Sequence, residues 1–143
     1  MNITKFHVFL VAGVLLASIG YLFVNKDKTD LPVTPSAAFQ LSELEITNFQ
    51  KQALAGNCPA TYKLARYHDY VTLKFDEAIR WFRMAVKCPD VNSKLELIGL
   101  LLGDEDPAIL REVDDLILEI RKTDPDAAMS IQKVVKDSRR KKN

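Results

Sequence analysis

The stretch GNCPATYKLARYHDYVTLKFDEAIRWFRMAVKCPD, residues 56–90, decides the fold. In its second half Phe75, Ala78, Ile79, Phe82, Ala85 and Val86 recur at offsets of 3, 4, 7, 10 and 11, which draws one apolar stripe along an α-helix. In its first half Pro59 suits the first helical position, where a fixed φ and a missing N–H do no harm. Ala60, Leu64 and Tyr67 then share one face of that helix. A connector near HDYVTLK, residues 68–74, joins the two into a helical hairpin. Both cysteines of the chain stand next to a proline at the two ends of this stretch, in Cys58-Pro59 and Cys88-Pro89.

The flanking sequence continues in helical register. Ser42 and Glu45 form an S-x-x-E capping box, in which each side chain satisfies an orphan amide, and the helix it opens runs over 43–55 until Gly56 stops it. VNSKLELIGLLL, residues 91–102, is a further helix, nearly apolar on all sides toward its end and therefore predicted to be central. Asp106-Pro107 and Asp124-Pro125 each pair an N-cap carboxylate with a proline at the first helical position, which opens helices over 107–121 and 125–138. No run alternates apolar and polar residues with period two, so residues 41–138 are expected to form an all-α domain.

Ahead of this domain, residues 1–5 lead into FHVFLVAGVLLASIGYLFV, residues 6–24, which carries no formal charge apart from a proton that His7 can take up. A helix of that length reaches about 28 Å, enough to cross a bilayer. Two readings fit it. Lys5, the run 8–17 and Ser18-Ile19-Gly20 supply the parts of a cleavable signal peptide, whereas the apolar continuation through residues 21–24 fits an uncleaved transmembrane anchor better. Lys5 on one side and Lys26 and Lys28 on the other leave the orientation undecided by charge. Residues 25–40, NKDKTDLPVTPSAAFQ, hold Pro32 and Pro35 and read as an extended tether of at most about 50 Å. At the far end the basic tail, residues 139–143 of KDSRRKKN, has nothing to bury and reads as a solvated, frayed end that could also grip anionic lipid or an acidic partner.

Within residues 56–88 the pattern resembles a known repeat. Gly56-Asn57-Cys58-Pro59-Ala60-Thr61-Tyr62-Lys63-Leu64-Ala65 is similar to the G-N-x-x-A-x-x-x-L-G opening of the Sel-one-like repeat, a relative of the tetratricopeptide repeat. Ala78-x-x-Trp81-Phe82-x-x-Ala85 resembles its second helix, A-x-x-W-Y-x-x-A. Ala65 stands where the family usually has Gly and His68 where it usually has Tyr, and the connector is shorter than usual and lacks its glycines. The resemblance implies antiparallel helical hairpins in a short array and a scaffold for protein recognition rather than catalysis. Small exported members resemble immunity proteins that neutralise antibacterial toxins, which makes a toxin or effector the first expected partner. A subunit of an envelope complex that the chain helps to assemble is the second.

In an antiparallel hairpin the start of one helix and the end of the next lie side by side, so Cys58 and Cys88 are placed to form a disulfide across the open end. Two unpaired, partly buried thiols are the alternative, and two cysteines without a nearby His fall short of a zinc set. A disulfide persists in an oxidising compartment, which places the domain in the periplasm, on a bacterial inner-membrane anchor or free after signal cleavage.

His68 and Asp69 could be drawn as a base and its orienting acid, but adjacent helical residues point about 100° apart. With no nucleophile, phosphate loop or paired metal ligands in the chain, no enzyme activity, cofactor, metal or small-molecule substrate is expected. A net charge of +1 gives no reason to expect nucleic acid. The candidate partner-binding residues are Tyr62, His68, Asp69 and Tyr70 on the hairpin, and Asp104, Glu105, Glu112 and Asp115 in an acidic run that extends to Glu119. Tyr67 and Trp81 are read as hairpin packing and the acidic run as a solvated face unless it steers a basic partner.

Overall fold

The computed structural model describes residues 35–141. Among them a 3₁₀ turn, Pro35–Phe39, precedes six α-helices: α1 Glu43–Leu54, α2 Cys58–Tyr70, α3 Phe75–Ala85, α4 Val91–Leu101, α5 Pro107–Thr123 and α6 Pro125–Arg140. No named strand occurs among the described residues, so this part of the chain is all-α. No helix among them is long and apolar enough to cross a membrane. The segments read above as residues 1–5, the anchor or signal peptide 6–24, the tether up to residue 34 and the last two residues of the tail lie outside the described residues.

Local chemistry sets most of the helix starts. Ser42 and Glu45 close the capping box, with Ser42 N–H donating to Glu45 Oε2 at 2.8 Å and Glu45 N–H to Ser42 Oγ at 3.3 Å. Asn57, Asp90, Asp106 and Asp124 each accept a backbone N–H of the first turn, at 2.7–2.9 Å. Gly56 takes φ +88° just past α1, a left-handed conformation that ends the helix at no steric cost. The start of α3 is the exception. Lys74 makes no side-chain cap, and Leu73 ahead of it sits at φ +53°, a strained conformation for a branched side chain.

Each helix packs chiefly on its neighbour in the chain, and alternate helices are linked by side chains: α2 to α4 through Tyr62 and Glu96, α3 to α5 through Arg83 and Glu112. The core runs through the middle of this arrangement. Ala60 and Ala65 of α2 and Ala78 and Ala85 of α3 are buried, and their small side chains let the two helices approach closely around Leu64 and Phe82. Leu97, Ile98 and Leu101 of α4 and Val113, Ile117 and Ile120 of α5 continue the core, with Ala128 and Val135 of α6 closing it. Trp81 is buried, with its indole N–H unpartnered among the described residues and the Arg80 guanidinium 4.9 Å from its ring centroid.

The hairpin is closed as its geometry implied. Cys58 opens α2, Cys88 follows α3, their Cα atoms are 6.0 Å apart and their sulfurs are at bonding distance. Lys94 adds a second tie. It is only 8% exposed, and its ammonium donates to the carbonyls of Cys88 at 3.3 Å and Asp90 at 3.5 Å, so a buried cation satisfies the backbone that follows α3.

Four boundaries differ from the sequence reading. α2 continues through His68 and Asp69 to Tyr70, which shortens the connector to residues 71–74, with Thr72 Oγ1 donating to the His68 carbonyl at 3.3 Å. The end of the tether is folded, because Phe39 packs its ring on Tyr70, with centroids 4.9 Å apart. α5 extends to Thr123, whose hydroxyl donates to the Ile120 carbonyl at 3.2 Å. α6 runs to Arg140 instead of fraying at residue 138, because Arg139 donates to the Leu110 carbonyl at 3.3 Å and to Asp114 at 3.1 Å. Arg139, the first residue of the basic tail, thus pairs with the protein's own acidic run.

Closing a loop of 30 residues stabilises the fold by about 3–4 kcal/mol in the chain-entropy model. That is comparable with the cost of truncating the fully buried Phe82 to Ala, about 3–5 kcal/mol. Urea unfolding of Cys58→Ser/Cys88→Ser is expected to show a loss of about 3 kcal/mol relative to the oxidised protein. Identical midpoints for the two would show that the bond contributes nothing to the fold.

Candidate functional site

Helical spacing places Tyr62, Arg66, Asp69 and Tyr70 along one side of α2, since residues four, seven and eight positions apart overlie one another. The neighbouring helix α4 brings Glu96 to this side. Tyr62 donates its phenol to Glu96 Oε1 at 2.8 Å, and Arg66 Nε lies 3.5 Å from the same oxygen. The 3₁₀ turn brings Phe39. Its ring centroid stands 3.9 Å from the Arg66 guanidinium carbon, with the rings of Tyr62 and Tyr70 at 5.3 and 5.5 Å. Arg66 is therefore surrounded by three aromatic rings and one carboxylate, each attracting its positive charge.

The polar atoms of this cluster are incompletely paired. Arg66 Nε and Glu96 Oε2 are buried without a hydrogen-bond partner among the described residues, so the ion pair is held by charge and not by an aligned bond. Burial raises the Glu96 carboxyl above its ordinary range, against the opposing pull of the Tyr62 phenol and the Arg66 charge. Burial also raises the Tyr62 phenol, and its bond to Glu96 adds to the effect. Asp69 is raised by burial as well, and Arg66 pulls it back. A cavity of about 410 Å³ opens beside the cluster, between the 3₁₀ turn, the start of α1 and the Tyr62–Arg66 turn of α2.

The other residues singled out in the sequence are dispersed. His68 turns to Thr72, with Nδ1 3.2 Å from Oγ1, and burial lowers its pKa. Asp104 accepts the Asp106 N–H at 2.9 Å, and Glu105 is exposed beside it in the loop before α5. Glu112 is bound by Arg83 through two parallel bonds of 2.9 and 2.8 Å. With Asp115 it borders a groove of about 870 Å³ between the loop after α3 and α5. The acidic run is therefore not a plain solvated face, because Glu112 and Asp114 tie α5 to α3 and α6. Among the described residues no group of three or more His, Cys, Asp or Glu is arranged to hold a metal.

Three members of the α2–α4 cluster were not picked out from the sequence. Arg66 was legible in principle, since it lies four positions from both Tyr62 and Tyr70. Glu96 carried a signal too, as an acid inside the apolar LELIGLLL. Phe39 carried little, being a single aromatic residue in a polar stretch.

No protein-family model, no characterised protein and no solved structure matches this chain.

Because the folded state raises the Glu96 pKa above 4.5, it holds this proton more tightly than the unfolded chain does. The resulting stability is complete below the unfolded value and is lost as pH rises through the folded one. Glu96→Gln removes that loss and keeps an acceptor for Tyr62. Its melting temperature relative to the wild type is expected to climb between pH 4 and pH 7 in thermal unfolding, and a constant difference would mean that burial of this carboxylate carries no cost.

Proposed function

We propose that this chain is a non-enzymatic protein-binding module whose contact surface is the α2–α4 face around Arg66. The observation that carries the reading is the half-buried Arg66–Glu96 pair, with three aromatic rings gathered around the Arg66 guanidinium. Tyrosine and arginine dominate the energetics of protein interfaces, and a part-exposed arginine ringed by Phe39, Tyr62 and Tyr70 offers such anchors. The repeat resemblance of residues 56–88 and the neighbour-on-neighbour packing of the helices support a short array of hairpins of Sel-one-like type. The cysteine pair supports an oxidising compartment. With the apolar segment 6–24 as anchor, the module would stand in the bacterial periplasm and act as an immunity protein that inhibits a toxin in the cell envelope.

A second reading, a scaffold or assembly factor of a membrane complex, draws on a separate feature. The groove of about 870 Å³ bordered by Glu112 and Asp115 offers a second surface, and a bridging factor needs two. The two readings differ in what is recovered from membranes: a stoichiometric envelope complex for the scaffold, a free protein that captures a toxin for the inhibitor.

The test is growth rescue by co-expression with candidate toxins encoded beside this chain, using wild type and Arg66→Glu. Wild type is expected to restore growth and Arg66→Glu to bind the toxin at least about 30-fold more weakly, the scale of one interface hot spot. Because Arg66→Glu sets a second carboxylate beside Glu96, its melting temperature is expected to fall, so binding is compared at a temperature where the variant is fully folded. Undiminished binding by Arg66→Glu would remove this face as the contact surface.

A further inference from the structure

We propose that the 3₁₀ turn Pro35–Phe39 is a displaceable strap that covers the α2 face in the free protein, and that the partner enters with an aromatic side chain that takes the place of Phe39. The inference deepens the reading of the Arg66 face as a contact surface and rests on it. The chain itself shows what the slot accepts. The Phe39 ring lies 3.9 Å from the Arg66 guanidinium and 4.9 Å from the Tyr70 ring, an arrangement that stabilises any aromatic group placed there.

Three features make the turn displaceable. It is five residues long, near the upper limit of what 3₁₀ geometry sustains, and its main packing partner is α2. Phe39 is only half-buried, and it leaves the adjoining cavity of about 410 Å³ unfilled, a volume within the range that holds ligand side chains. The capping box of Ser42 and Glu45 lies beyond the turn and starts α1 independently, so the strap can leave without unwinding a helix.

Departure of Phe39 leaves Arg66 with two rings and the Glu96 carboxylate, and an incoming ring restores the third contact. An intramolecular strap competes at a high effective concentration. A slot closed for about 90–99% of the time lowers the apparent affinity of a partner by about 10- to 100-fold. That penalty falls on every partner alike, and the contacts of a ring with Arg66 and Tyr70 favour a segment that presents an aromatic residue in a turn, as the strap does.

The test uses the full-length protein and a synthetic peptide with the sequence of residues 35–41, PSAAFQL, with blocked ends. The peptide is expected to bind Phe39→Ala saturably, with chemical-shift changes at Arg66 and Tyr70 and at least about 10-fold more tightly than it binds wild type. Replacing the peptide's phenylalanine by alanine should abolish binding. Equal affinity for wild type and variant, no saturable binding to the variant, or binding that survives loss of the peptide's ring would each overturn the proposal.

Hydrogen exchange on the wild-type protein supplies a second readout that needs no variant. Amides 38 and 39, which 3₁₀ geometry pairs with carbonyls three residues back, are expected to be protected only about 10- to 100-fold, far below those of α1, and protection equal to that of α1 would rule out a displaceable strap. Neither experiment involves a partner. Their failure would remove the strap and leave the contact face itself to the Arg66→Glu test.

Discussion

The close approach of α2 and α3 is the constraint on which the rest depends. Alanines at 60, 65, 78 and 85 are all buried, so the two helix backbones can come together around Phe82 and Leu64. A larger side chain at any of the four would force the helices apart and move every element stacked on them, because dense interiors transmit strain. The disulfide acts on the same contact from outside. It joins the two ends that diverge most easily, while the four-residue turn 71–74 closes the other end at the expense of a left-handed Leu73. A strained conformation at an exposed leucine persists only because the packed helices on either side of it leave no room for relaxation.

Beyond the hairpin the structure grows by repetition, each helix covering the one before it, with charge deciding how the outer helices finish. Glu112 fastens α5 to α3 through Arg83, and Asp114 fastens it to α6 through Arg139. Both pairs are partly exposed, so each contributes little to stability by itself. Their effect is to fix which face of α5 turns inward and to consume charges that would otherwise invite a partner. The α2–α4 side differs, because Arg66 Nε and Glu96 Oε2 there have no hydrogen-bond partner among the described residues.

Local rules made much of this architecture legible. Ser42, Asp106 and Asp124 cap helices because the amides they satisfy lie within three residues, and the stripe through Ala78, Phe82 and Ala85 is a property of one helix, although Phe75 at its start stands exposed. The cysteine pairing was legible for a related reason, since a hairpin brings its own ends together. Lys94 shows where local rules stop: a lysine in the first turn of a helix reads as solvated, and its burial depends on the carbonyl of Cys88, freed where α3 ends. Glu96 and Tyr62 are separated by 34 positions, and Arg139 and Asp114 by 25, so neither bond exists until the helices have stacked. Arg139, read as the start of a solvated tail, finds Asp114 for the same reason, because the two face each other only once α5 and α6 have packed.

The disulfide and the candidate site are also physically joined. Cys58 and Tyr62 are one turn apart on α2, and both line a small cavity of about 270 Å³ that Cys88 and Ser93 share. With the sulfurs bonded, the first turn of α2 is held against the loop after α3, and the Tyr62 phenol is kept at the distance from Glu96 that its hydrogen bond needs. Reduction would remove one tie on that turn, leaving the Asn57 cap and the buried Ala60 and Leu64 to hold it. On the proposed reading, binding through this face depends on the same chemistry as the closure of the hairpin, and would be strongest where the cysteines stay oxidised.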